Sequence, residues 1–185
     1  ICLECCANTL DSLIMGNKLG VDEWASILMQ IIMMLCTFQE VFSLTHNDLH
    51  TNNIMYVETE KQYLYYCYQQ RYYKVPTFGR IYKIIDFGRA IYKYKERTFC
   101  SDSFHSDGDA ATQYNCEPYY NKSKPHIAPN PSFDLTRLGC SIFDYLVDDL
   151  KEIREPQLSS QDTIKKLIVE WCTDDNGKNI LYKSN

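Results

Sequence analysis

A chain of 185 residues with 45% hydrophobic and 23% charged side chains has enough apolar mass for one sizeable core and too much to stay disordered, and its length favours a single domain. Its net charge of −5 argues against a dominant nucleic-acid role, which needs a surplus of Lys and Arg on some face. The longest apolar run, residues 27–35 interrupted by Gln30, falls far short of the ~18 residues a bilayer span needs, so no membrane partner is expected.

Ile1 to Cys6 is a short apolar run suited to a buried strand. Ala7-Asn8-Thr9 breaks it, and Leu10-Asp11-Ser12-Leu13-Ile14 then starts a helical pattern closed by Gly16-Asn17-Lys18-Leu19-Gly20. Asp22 sits where an N-cap belongs, and Trp24, Ile27, Leu28, Ile31, Leu35, Phe38 and Phe42 recur at helical spacing. The spacing predicts a long helix, and the Met, Ile and Cys residues on its other face predict burial on most sides.

Ile54-Met55-Tyr56-Val57 reads as a strand and Glu58-Thr59-Glu60-Lys61 as its turn. Residues 63–73 hold six tyrosines. Aromatics beside Arg71 and Lys74 could stack bases, but a β-hairpin inserted between two strands explains them with no further assumption and suits the acidic chain. Pro76-Thr77-Phe78-Gly79 turns the chain, and Arg80 to Ile85 forms the next strand.

From Lys93 to Pro131 no period is sustained and Ser, Asp, Asn, Gly and Pro abound, which predicts a long functional loop. Ser132 is expected to cap a helix with Leu135, Leu138, Ile142 and Leu146 on one stripe. After the charged stretch Asp148 to Pro156, Asp162 is expected to cap a last helix presenting Ile164, Leu167, Ile168 and Trp171, and Asp174-Asp175-Asn176-Gly177 ends it.

Nine cysteines, an odd number scattered through apolar segments, predict reduced thiols in a cytoplasm-like compartment. Cys2-Leu3-Glu4-Cys5 has the spacing of half a zinc site, but no second half follows, so buried strand cysteines are the preferred reading. The sequon Asn121-Lys122-Ser123 reads as a chance match. The chain opens at Ile1 within an apolar run, with no initiator Met and no visible secretory signal, and is expected to be a piece of a longer protein.

Two motifs carry chemistry. His46-Asn47-Asp48-Leu49-His50-Thr51-Asn52-Asn53 follows the pattern H-x-D-L-x-x-x-N, and Asp86-Phe87-Gly88 ends the apolar strand Lys83-Ile84-Ile85. In phosphoryl transfer an Asp meets the hydroxyl proton, while an Asn carbonyl and an Asp carboxylate on two loops hold Mg²⁺. Asp48, Asn53 and Asp86 are therefore the candidate catalytic residues, with Asn53 and Asp86 as metal ligands. Ordinary turn residues bonded to nearby backbone would explain one motif, but not both in register.

With these motifs, and with the helix Phe133-Asp134-Leu135-Thr136-Arg137-Leu138-Gly139, the chain resembles the C-terminal lobe of the protein kinase superfamily. The resemblance implies a mainly α fold with short β-hairpins, the N-lobe being largely absent. It divides residues 1–185 into a hinge strand at 1–6, a catalytic loop at 46–53, an inserted hairpin at 58–80, an activation segment at 86–131 and a central helix at 132–148. It also implies that backbone groups of Glu4 and Cys6 meet the adenine of ATP, that Leu3 stands at the gatekeeper position, that Asp134 braces the catalytic-loop backbone, and that His46 and Phe87 belong to an internal apolar spine. ATP, Mg²⁺ and a protein substrate are the expected partners.

The departures from the pattern matter. Asn47 stands where the family usually has Arg, so an activation-loop phosphate would lack its customary partner and activity is expected not to need such phosphorylation. His50 stands where Ser/Thr kinases carry Lys, as in haspin-type kinases and aminoglycoside or choline phosphotransferases. No clear A-P-E is present, and the chain holds no G-x-G-x-x-G loop or V-A-I-K lysine, so by itself it is expected to be a poor catalyst completed by an N-lobe segment. The combination with a tyrosine-rich insertion resembles divergent kinases of large DNA viruses, acting in host cytoplasm or virion. The expected activity is transfer of the ATP γ-phosphate to protein Ser/Thr; a small-molecule kinase and a pseudokinase scaffold are the alternatives.

Overall fold

The computed structural model describes residues 3–147 and 163–181. The cap expected at Asp162, the charged stretch 148–156 and residues 1–2 of the expected first strand lie outside the described residues.

Thr9 caps helix α1 (Leu10–Gly16), its hydroxyl accepting from the Ser12 N–H at 3.1 Å. Helix α2 (Val21–Phe42) starts after Gly20 and not at Asp22; the Glu23 carboxylate reaches back to the Gly20 N–H at 3.2 Å, and Asp22 falls in the first turn, where its charge suits the helix dipole. Trp24, Ile27, Leu28, Ile31 and Leu35 are buried in the main core, while Val21, Ala25, Thr37, Glu40 and Val41 are exposed, so α2 is buried along one broad side. Counting uninterrupted apolar residues understated α2: by length and composition it is long and apolar enough to cross a membrane, a test that core helices of soluble proteins also pass.

Strands β1 (Asn8–Thr9), β2 (Ile54–Glu58) and β5 (Arg80–Ile84) form an antiparallel sheet in the order β1-β2-β5. Buried Gln30 of α2 acts as a partner for β5, accepting from the Tyr82 N–H at 3.1 Å and donating to the Arg80 carbonyl at 3.3 Å. A second sheet is the hairpin β3 (Tyr63–Tyr68) and β4 (Arg71–Pro76), turned by Gln69 and Gln70 with φ of 48° and 62°. A third pairs β6 (Ile91–Tyr94) with β7 (Arg97–Cys100) across Lys95 and Glu96, again both at positive φ. Helix α3 (Ser132–Leu146) packs on α4 (Thr163–Trp171).

Three expectations are corrected. The described residues are 38% helical and 23% strand, with four helices and seven antiparallel strands in three small sheets, so the fold is a helix–sheet mixture and not mainly α. The excess strand comes from short two-stranded ribbons, one of them, β6–β7, inside the segment expected to be irregular from Lys93 onward. Residues 3–6 form no strand: pairing to β2 ends at the Ala7 N–H on the Tyr56 carbonyl, nothing packs over Leu3, which is 87% exposed, and Cys5 is exposed too. Finally, Ser132 opens α3 without capping it; Pro131 is at the cap, and Asn130 Oδ1 accepts from the Ser132 N–H at 3.0 Å.

Candidate active site

Loop 44–53 is held from beneath by one carboxylate. Asp134, fully buried in the first turn of α3, accepts from the His46 N–H and the Asn47 N–H, both at 2.8 Å. This is the contact expected of Asp134. Burial raises the Asp134 carboxyl above its usual value, while the two backbone donors pull the other way. Thr45 exchanges two backbone bonds with Ile91, at 2.9 and 3.0 Å, tying the loop to β6, and fully buried Leu49 anchors it in the core.

His46 bridges the two motifs. Its Nε2 lies 2.9 Å from the Ile85 carbonyl and its Nδ1 accepts from the Asp48 N–H at 3.3 Å, which together assign the Nε2–H tautomer. The ring packs on Phe87 with centroids 5.2 Å apart, and Phe87 packs edge-on to Phe38 of α2 at 5.6 Å. The aromatic column expected at His46 and Phe87 thus extends to Phe38, although Phe87 keeps 42% of its surface exposed.

The candidate metal ligands leave the same end of the β2–β5 ladder. Ile54 pairs with Ile84, and the Ile85 N–H donates to the Asn53 carbonyl at 3.0 Å, so Asn53 enters one strand where Asp86 leaves the other. Asn53 donates through Nδ2 to the Asp48 carbonyl at 2.9 Å, which leaves Oδ1 as an acceptor. Asp86 adopts a left-handed conformation, φ 59°, and one carboxylate oxygen accepts from the Gly88 N–H at 3.2 Å. A Cβ on Gly88 would stand 3.0 Å from that oxygen, so the glycine makes room for the carboxylate. An amide oxygen and a carboxylate oxygen suit a hard cation such as Mg²⁺. Among the described residues no group of three His, Cys, Asp or Glu side chains is poised for a metal, so a cation here would complete its shell with water or phosphate oxygens.

Around the Asp48 carboxylate stand Arg89 Nη1 at 3.6 Å, Arg137 Nη2 at 3.9 Å and His50 Nε2 at 4.0 Å. Burial holds the His50 imidazole below its usual value; the Asp48 carboxylate opposes that and the Arg137 guanidinium adds to it. Arg89 is bonded more tightly to Asp109, at 2.6 Å. Asn47, at φ 68°, donates to the Thr45 and Arg89 carbonyls and receives bonds from Tyr114 and Gln113.

The structure therefore brings Asp48, Asn53 and Asp86 together. Among the described residues no hydrogen bond or ion pair joins Glu4 or Cys6 to the three, and the Glu4 carboxylate is paired with Lys83 of β5. Arg137, Tyr114 and Gln113 were missed by sequence reasoning. Only Arg137 left a signal, three residues after Asp134 and hence on the same helix face. No protein-family model matches the chain, and no curated protein matches it.

Proposed function

We propose that the chain supplies the catalytic loop and metal ligands of a phosphotransferase that moves the ATP γ-phosphate to a hydroxyl, with protein Ser/Thr as the favoured acceptor. One observation carries this reading: Asp48, Asn53 and Asp86 converge from two loops at one end of the β2–β5 ladder, on a backbone clamped by Asp134. Convergence of that kind is what phosphoryl transfer asks of a protein, since the chemistry needs positioning and charge compensation more than covalent help.

In this reading Asp48 accepts the acceptor hydroxyl's proton as its oxygen approaches the γ-phosphorus. Asn53 through Oδ1 and Asp86 through its carboxylate hold Mg²⁺, which when bound offsets phosphate charge. Asn53 has a second task, because its Nδ2 bond to the Asp48 carbonyl couples metal ligand to base. Adenine would lie against backbone groups of Glu4 and Cys6.

The test is an assay of the full-length gene product with labelled ATP and Mg²⁺, offering a generic protein substrate and an aminoglycoside in parallel, beside Asp48→Asn. Label on protein, abolished by the substitution, supports the proposal; label on the aminoglycoside moves the acceptor to small molecules, as His50 would suggest. ATP binding without turnover assigns the chain a scaffold role, and undiminished turnover by the variant refutes the mechanism.

A further inference from the structure

We infer that Arg137 is a positioning residue for Asp48, holding the carboxylate toward the reacting hydroxyl from helix α3. The inference rests on the phosphotransferase reading above.

The backbone of Asp48 is fixed on both sides, its N–H on His46 Nδ1 and its carbonyl under Asn53 Nδ2. Its carboxylate is not. The terminal torsion of Asp is broad and roughly two-fold, so a fixed backbone leaves the oxygens free to swing. Among the described residues the carboxylate makes no hydrogen bond, and its orientation is left to the charges around it. Arg89 and His50 both lie nearest Oδ2, at 3.6 and 4.0 Å, whereas Arg137 lies nearest Oδ1, at 3.9 Å.

The three groups are not equivalent. Arg89 shares its guanidinium with Asp109, on the exposed loop that follows β7, at the shorter distance of 2.6 Å. For Arg137 no second carboxylate lies within 4.0 Å among the described residues. The catalytic loop, residues 46–53, contains no Lys or Arg, so permanent positive charge at Asp48 must come from outside it. Arg137 also sits on the rigid element that already sets the loop: one turn before it, Asp134 holds the His46 and Asn47 amides at 2.8 Å. A single helix face thus controls both the backbone and the side chain of the candidate base, and sites referenced to helices are held more precisely than sites referenced to loops.

A stabilising role does not account for the arrangement. The Arg137 side chain is 41% exposed and its ion pair is long, a class that adds little to folding. What it can change is where the carboxylate points, and misplacing a reacting group costs rate steeply.

The experiment measures kcat and KM for ATP on the full-length protein, with the acceptor found in the assay above, for wild type, Arg137→Ala and Arg137→Lys, together with thermal midpoints. The expected result for Ala is a fall in kcat of about 10- to 100-fold with KM for ATP and the midpoint little changed, and partial recovery with Lys. Wild-type kcat in the Ala variant overturns the inference while leaving the phosphotransferase reading intact. So does a loss confined to KM, or an equal loss in both variants with a lowered midpoint. Wild type without turnover removes the reading and the inference together.

Discussion

The Tyr114 hydroxyl donates to Asn47 Oδ1 at 2.8 Å, and the neighbouring Gln113 amide donates to the Asn47 carbonyl at 3.0 Å. The long segment after β7 is thereby fastened to loop 44–53 at one asparagine, with neutral groups on both sides. Phe104 packs on Tyr114 and, with Ile91 and Ala110, forms the small core beneath the fastening. Burial pushes the Tyr114 phenol up to about 12, so it remains a donor throughout the physiological range. This fastening uses no charged group.

Phosphatase treatment of the full-length protein is accordingly expected to leave its activity unchanged, whereas Tyr114→Phe, which removes one bond worth about 1 kcal/mol, lowers turnover. Activity lost to phosphatase would show that the fastening is insufficient. Proteolysis within residues 101–131 should be faster in the Phe variant.

Asp134→Ala leaves the His46 and Asn47 amides, both buried, without their acceptor. At roughly 1–3 kcal/mol for each orphaned donor, the expected loss is several kcal/mol, read as a lower denaturant midpoint. Asp134→Asn keeps one carbonyl acceptor and should recover part of it.

Gly139 allows α3 and α4 to touch. A Cβ there would lie 3.0 Å from Trp171 Cβ, the last residue of α4, and 3.2 Å from Cys172 Sγ just beyond it. Gly139→Ala is therefore expected to destabilise by about 1–3 kcal/mol despite its better helix propensity. An unchanged or raised melting temperature would show that the interface yields.

His50 supplies a pH dependence with a definite sign. Its folded-state value is lowered from 6.5, so between the two values the unfolded chain binds more protons than the folded one. The stability tied to the neutral imidazole is complete above 6.5 and is lost as pH falls below it. Denaturant midpoints across this window should decline toward acid, and His50→Gln should flatten the decline.

The parts of this fold that were legible in the sequence are those whose signal is local. The Trp24–Leu35 stripe marked α2, and the spacing of Asp48, Asn53 and Asp86 marked three candidates that the fold brings to one end of the β2–β5 ladder. Helix starts at Asp22 and Ser132 were misplaced because the cap positions fall on Gly20 and Pro131, which offer no side-chain acceptor. The hairpin β6–β7 was invisible because Lys95 and Glu96 take the positive φ values that Asn-Gly would have announced. Gln30 as a strand partner, Arg137 at Asp48 and Tyr114 at Asn47 are long-range contacts between residues of ordinary type, and no spacing rule encodes them.

The β2–β5 ladder runs from Ile54↔Ile84 to Glu58↔Arg80 and is closed by the Thr59 N–H on the Gly79 carbonyl at 2.9 Å. The candidate site hangs from one end of this ladder; the tyrosine hairpin leaves the other and turns back along α2, Pro76 at its base accepting from Ser26 and Tyr68 near its tip facing Cys36 and Glu40. The exposed tip at Gln69–Gln70 therefore stands beside the C-terminal half of α2, so a fluorophore attached there would report on the helix that carries Phe38 to Phe87.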